Sequence, residues 1–386
     1  MSISNLPGFR DFYPAEMALR SHIMRTWRGV AERYGFSEYD GPPLEPLELY
    51  TRKSGEEIVS QLYGFTDRGG REVALRPEMT PTLARMVAAR AAGLPKPIKW
   101  FAVPQLFRYE RPQKGRLREH FQFNLDIVGE DSVASDAEVV AAAIDTLRAF
   151  GLDSEDFVAR YSDRRLISGM LVALGVPADN LEQAFTVLDK VDRETDAWVA
   201  ERLVATGASP DGARKILELA GAELDEIEAR FGADVEVRDA ADRLREFGRQ
   251  MSAAGLSEFI QFDPRLVRGL AYYTGLVFEL WDRRGSFRAI CGGGRYDGLL
   301  KAVGGADLPA IGFGMGDVVL GELLRSRELA PTGEGRLDDY VIAVTPTELP
   351  DVLAVVHALR GSGRRVGFDY RGRGVGRQFK AANQSG

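Results

Sequence analysis

Strand-like segments stand on both sides of a block, residues 163–250, that is almost free of them. Inside the block the apolar residues keep helical spacing, at Leu181, Phe185 and Leu188 and then at Ile216, Leu219, Leu224, Ile227 and Phe231. The block reads as a helical insertion. Before it, IKWFAVPQLFRYE (98–110) and HFQFNLDIVGE (120–130) read as two strands joined by the basic, flexible RPQKGRLRE. After it, LVRGLAYYTGLVFELWD (266–282) reads as strand, entering a hairpin turn at Arg283-Arg284-Gly285-Ser286 before FRAICGG. Helices are expected at 15–34, at 80–92 with a stop at Gly93-Leu94-Pro95, and at 317–328. Another is expected at Asp136–Phe150, capped by Ser135, with Gly151 just beyond its end.

The pattern changes after 329–337, which has the composition of a linker. DYVIAVTP reads as strand, LPDVLAVVHALRGSG as helix, RRVGFDYR as strand, and one more helix follows. This βαβ order implies a small α/β domain at 338–386, which reads as cut short, since about 50 residues make a small independent core. The expected class is therefore α+β: a first domain at 1–328 that carries the insertion, then the linker and the partial α/β domain.

Composition excludes several function classes. No run of about 18 apolar residues occurs, so no transmembrane helix is expected. The N-terminus lacks the basic and apolar regions of a secretory signal, and a cytoplasmic location is expected. Cys291 is the single cysteine, which excludes an internal disulfide and a cysteine-based zinc site. His22, His120 and His357 lie far apart, so no metal site is expected. The net charge is −7, so any RNA partner must meet a local basic patch on a surface that otherwise repels it.

Four clusters carry possible chemistry. FRYERPQKGRLREHFQFNLD (107–126) holds Arg108, Arg111, Lys114, Arg116 and Arg118 with Glu110 and Glu119. Guanidinium forks suit phosphate oxygens. Taken alone, such a run is wet surface, but Arg108 ends an apolar run and is expected inside a cleft. In LRPEMTPTLAR (75–85), Glu78 and Thr80 sit where a strand hands over to a helix. They fit a helix cap, with Glu78 favoured by the helix dipole, or a pocket that holds an ammonium group. In LVRGLAYYTGLVFE (266–279), Arg268 stands among apolar neighbours, so it must meet an anion, either a structural carboxylate or a substrate. CGGGRYDG (291–298) lets backbone approach a ligand or simply makes a tight turn. No Walker A motif, dinucleotide-binding motif or Ser-His-Asp set is present.

In this order the four clusters resemble histidyl-tRNA synthetases, members of the class II aminoacyl-tRNA synthetases. LPGFRDFYPAE and YDGPPLEPLELY are similar to the motif 1 region, and FRYERPQKGRLREHFQFNLDIVG to motif 2. LVRGLAYYTGLVFE with GGGRYDG resembles the two histidine-specific motifs, and AIGFGMGD (310–317) resembles motif 3. The likeness runs continuously over about residues 5–325 and weakly into the start of the anticodon-binding domain.

The resemblance implies an antiparallel sheet flanked by helices and a histidine–tRNA ligase that uses ATP and Mg²⁺. It assigns Arg108 to the α-phosphate, Glu110 to the adenine amino group, Arg116 to the outer phosphates and Phe121, with His120 as the alternative, to the adenine face. Glu78, Thr80 and Gln122 would hold the histidine ammonium. Asp126, Tyr273 and Tyr272 would surround the imidazole. Arg268 would bridge the histidine carboxylate and the α-phosphate, which makes it, with Arg108, the catalytic pair. Gly293, Gly294 and Tyr296 would form the pocket floor. The motif 1 region implies a homodimer, and the insertion would lie on the acceptor stem of tRNA(His), read by shape and phosphate contacts.

Four departures stand out. Val318 and Val319 replace the Glu-Arg that usually ends motif 3. His120-Phe121 inverts the usual Phe-His order. Ala271 stands where many members have aspartate, and the C-terminal domain lacks its second half. REHFQ and GLAYYTG resemble a plant-organellar and bacterial subgroup in which the motif 3 arginine is also missing. A competing expectation is a synthetase-like regulatory subunit of ATP phosphoribosyltransferase, favoured by length and the short C-terminus. The motif 2 arginines, Arg268 and the anticodon-domain start favour the ligase. A synthetase-like protein that has lost catalysis is a third expectation.

Overall fold

The computed structural model describes residues 4–51, 60–111, 115–191, 194–268, 272–285, 287–331 and 336–385. Lys114, Gly269, Leu270, Ala271, Ser286 and linker residues 332–335 lie outside them. Two compact units emerge: the first comprises Met1–Asp11 with Arg20–Ala330, the second Phe12–Leu19 with Pro331–Gly386.

In chain order the strands are β1 (Ser37–Glu38), β2 (Leu44–Pro46), β3 (Tyr63–Thr66), β4 (Glu72–Leu75), β5 (Ile98–Ala102), β6 (Gln105–Phe107) and β7 (Glu119–Val128). There follow β8 (Phe157–Asp163), β9 (Ile260–Phe262), β10 (Leu276–Asp282), β11 (Cys291–Arg295), β12 (Ala310–Gly316), β13 (Asp339–Val341) and β14 (Val366–Phe368). Nine of them form the main sheet of the first unit, in the order β1-β5-β7-β12-β11-β10-β8-β9 with β6 also on β7. Only its outermost pairs, β1–β5 and β8–β9, are parallel. The mostly antiparallel sheet flanked by helices agrees with the class expected from sequence.

Alternation along β7 decides what each face does. Phe123 packs on Trp27 at 5.8 Å between ring centroids, on the back face, where the helix Pro14–Arg33 buries Ile23, Trp27, Val30 and Ala31. His120, Gln122 and Asp126 take the other parity and line the cavity on the front. At one end the front is closed by the helix Thr80–Arg90, whose Leu83, Ala84 and Val87 pack with Tyr273, Tyr296 and Leu300.

The insertion leaves the sheet between β8 and β9. Among the described residues it runs through helices from Arg164–Ala173 to Val235–Ala253, with no strand. Its helices carry side-chain N-caps at Asp163, Thr195, Ser209 and Asp234. The last helix buries Val237, Leu244, Phe247 and Met251.

Two local expectations need correction. The helix after β7 begins at Val133 and its N-cap is Ser132; the Ser135 hydroxyl, one turn inside, instead accepts from Arg295 at 2.8 Å. Among the described residues, 266–268 and 272–275 are not strand: β10 starts only at Leu276, and Arg268 has φ of +53°, a left-handed conformation that interrupts a ladder.

In the second unit β13 and β14 pair in parallel across the helix Leu349–Gly361, around Val352, Val356 and Val366. Gln378 of the helix Val375–Ser385 seals this small core, accepting from the Ala343 N–H and donating to the carbonyls of Ala343 and Arg373.

Candidate active site

The middle of the front face has almost no side chains. On β12 the glycines fall at every second position, Gly312, Gly314 and Gly316, and on β11 Gly292 and Gly294 face them in register. Alternation puts all five on one side. The spaces a Cβ would need are taken: at Gly312 by Asp126 Oδ1 at 1.9 Å, at Gly314 by the Gln122 amide at 2.8 Å, and at Gly292 by Arg268 Nη1 at 1.7 Å. Functional side chains from neighbouring strands thus lie down across a bare backbone. Gly293 has the other parity and faces Phe278 and Phe313, so it is not part of the floor; Gly292 takes that place. Gly294 lies beneath the Tyr273 ring, with Cδ1 2.9 Å from where its Cβ would be.

Two chambers open on this floor. One, of about 430 Å³, is lined by Glu78, Thr80, Gln122, Asp126, Tyr272, Tyr273 and Tyr296. The other, of about 310 Å³, is lined by Glu110, His120, Trp281, Arg288, Val318 and Val319. Arg108, Arg116, Arg268 and Glu279 belong to both. Glu78 and Tyr273 therefore face one space, as do Arg108 and Arg268.

Each side chain is held by its neighbours. Tyr272 donates to Glu78 Oε2 at 3.1 Å. Thr80 caps nothing: the N-cap of its helix is Met79, with no side-chain hydrogen bond. Arg76, itself buried, donates to Asp40, Gly41 and Gln105 and so fixes the turn bearing Glu78. Arg108 Nε donates to the Pro77 carbonyl at 2.9 Å, which ties the same turn to the end of β6. Arg116 pairs with Glu110 at 3.2 Å. Arg268 donates through Nη1 to Glu279, which also accepts from Trp281 Nε1 at 3.0 Å, so a structural carboxylate does partner this arginine. Its Nε is buried with no hydrogen-bond partner among the described residues. Burial works against the Arg268 charge, but Tyr273 and Glu279 more than offset it and raise its pKa.

Burial pushes the Asp126 carboxyl up to about 7, although Tyr296 donates to it at 2.6 Å and pulls the other way. Burial, with Arg108 and Arg10 nearby, lowers His120 to about 3, so its ring is neutral at physiological pH.

Phe121 does not reach either chamber. It sits on the back face with the Arg20 guanidinium 4.9 Å from its ring, and its N–H donates to Asp317. The β7 aromatic that lines the smaller chamber is His120. Reading the sequence alone also missed Asn124, Glu279, Trp281, Asp189 and Lys190, the last two just after the insertion helix Leu181–Leu188. Parity along β7 and β10 marks Asn124, Glu279 and Trp281; nothing local marks Asp189 or Lys190. Arg295 and Asp297 of GGGRYDG are structural. Arg295 pairs with Asp136 at 2.7 Å, and Asp297 accepts from Thr274 and from the Ala310 N–H. Among the described residues no cluster of His, Cys, Asp and Glu is arranged to hold a metal ion, and no helix is long and apolar enough to cross a membrane.

The family model for histidyl-tRNA synthetase matches residues 8–316. The chain is similar to the histidine–tRNA ligase of Opitutus terrae, 46% identical over all of this chain and 89% of that protein. It is 41% identical to the chloroplastic/mitochondrial histidine–tRNA ligase of Arabidopsis thaliana, over 93% of this chain and 74% of the relative. Among solved structures, histidyl-tRNA synthetase from Nostoc superposes with a TM-score of 0.85 at 24% identity, covering all of this chain and 90% of that one, which shows the shared fold. The chain belongs to the histidyl-tRNA synthetase family.

Proposed function

We propose that this chain activates histidine with ATP and passes the histidyl group to tRNA(His). The observation that carries the reading is the shared wall: Arg108, Arg116 and Arg268 stand where the chamber of Glu78, Gln122, Asp126 and Tyr273, which takes the amino acid, meets the chamber of Glu110 and His120, which takes the nucleotide. Two anions repel each other, and fixed guanidinium groups between them bring them together and oppose the charge that develops.

In the first step a histidine carboxylate oxygen attacks the α-phosphorus, the bond to the bridging oxygen breaks, and pyrophosphate leaves. The attacking carboxylate is already ionised, so no general base is needed. Arg108 and Arg268 neutralise the α-phosphate oxygens, and Arg116 meets the outer phosphates. Glu78 and Thr80, with Gln122, accept the ammonium. Asp126, Tyr273 and Tyr272 surround the imidazole above the Gly292–Gly294 edge, with Tyr296 fixing Asp126. In the second step the terminal ribose hydroxyl of tRNA attacks the activated carbonyl and AMP departs. Mg²⁺ bound with the triphosphate would supply charge neutralisation there. Glu110 and Glu279 are the carboxylates that line that chamber and would hold the ion, Glu110 Oε2 lying 3.2 Å from Arg116 Nη1.

Histidine-dependent exchange of pyrophosphate into ATP tests the proposal. Activity that disappears in Arg268→Ala supports it; absence of exchange in the unaltered protein overturns it. The motif 1 likeness supports a homodimer in the cytoplasm, and a monomeric mass in solution would overturn the dimer.

A further inference from the structure

The smaller chamber, which the proposed function gives to the nucleotide, has a cation that its neighbour lacks. Arg108, Arg116 and Arg268 line both chambers, so they stand at the junction, where the phosphates and the amino-acid carboxylate meet. Arg288 lines only the smaller one, in company with Leu117, Val318 and Val319. Register explains the grouping. The start of β11 lies beside the end of β12, Cys291 against Met315, so Arg288, which precedes β11, and Val318 and Val319, which open the helix Asp317–Ser326 after β12, leave the sheet at the same end. Val319 closes the same side, lying 3.6 Å from where a Cβ on Gly115 would be. The chamber thus has apolar lining and one guanidinium that it does not share with its neighbour. Such a lining suits a flat aromatic base, which valines cover and on which a planar cation stacks.

We propose that Arg288 is the side chain that stacks on the purine of ATP and that it makes up for the valines at 318 and 319. The proposal rests on the reading of this chamber as the nucleotide site. Equilibrium binding tests it by calorimetry, with ATP and inorganic tripolyphosphate as the two probes. Arg288 is exposed, so Arg288→Ala is expected to fold with an unchanged melting temperature. It should weaken ATP binding about tenfold and leave tripolyphosphate binding as it was. Placing the guanidinium at a valine position instead, with Val319→Arg added to Arg288→Ala, should recover most of the loss. Unchanged ATP affinity in Arg288→Ala overturns the proposal. So does an equal loss for both probes, which would place Arg288 on the phosphates. Should Arg288→Ala melt early, Arg288→Lys decides: it keeps the charge but not the plane, and full ATP affinity in that variant overturns stacking. Because binding is measured without turnover, failure here is distinct from a failure of pyrophosphate exchange.

Discussion

Asp126 is the side chain in the pocket whose state changes most near neutral pH. Its pKa is raised to about 7, chiefly by burial, so the ionised form is disfavoured in the fold relative to the unfolded chain. The sign follows: between the ordinary carboxylate range and pH 7 the empty protein loses stability from this group as pH rises. Asp126→Asn should therefore raise the melting temperature more at pH 8 than at pH 5, and an equal gain at both would contradict the burial argument. Function runs the other way. An ionised Asp126 accepts from both Tyr296 and an imidazole N–H. Losing that acceptor costs about 1–3 kcal/mol, so the histidine KM of Asp126→Asn should rise ten- to a hundredfold. In steady-state kinetics the unaltered protein should also lose histidine affinity more steeply below pH 7 than the variant does. Gly312→Ala acts on the same atom by volume. Its methyl would stand 1.9 Å from Asp126 Oδ1, and the histidine KM should rise by a comparable factor with little change in the ATP KM.

At the scale of elements, the pairing of Arg295 with Asp136 joins β11 to the helix Val133–Arg148, and both groups are buried. Arg295→Leu leaves a buried carboxylate short of its partner. It should lower stability by about 3 kcal/mol in a denaturant titration, and adding Asp136→Leu should recover part of that. If the double variant were no better than the single, the pair would not be the cause. Removing residues 196–231 keeps the buried helix Val235–Ala253 and leaves Asp189 and Lys190 in the chain. It should reduce tRNA charging far more than pyrophosphate exchange, and equal losses would exclude an acceptor-stem role. Periodicity made most helices and the strands β5, β6, β7, β10 and β11 legible, but not β1, β8 or β9. What it left open was parity and local conformation. Phe121 and His120 differ only in which face of β7 they take, and one residue of register exchanges them. The same holds for Gly292 and Gly293. The apolar run at 266–275 looks extended, but the left-handed backbone at Arg268 breaks it, and such strain at a bulky residue follows from its surroundings and not from its type. Asp189 and Lys190 reach the amino-acid chamber only because a distant helix returns there.

For the molecule as a whole, a net charge of −7 sets the terms on which RNA is met. Attraction must come from a confined basic surface, so the tRNA KM should climb with salt while the histidine KM, set inside a closed pocket, stays nearly level between 50 and 200 mM, a span over which phosphate contacts weaken strongly. Parallel rises in both would place the basic groups in the pocket alone. Backbone, more than side chains, draws the outline of that pocket. A floor with no side chains offers nothing to prune, so chance substitution there adds atoms and narrows the space. Accommodating a bulkier amino acid would take new residues at the rim, on β7, β10 or the Glu78 turn. The five glycines thus act as a ratchet against broader substrate choice, set by chain geometry before any polar group is counted.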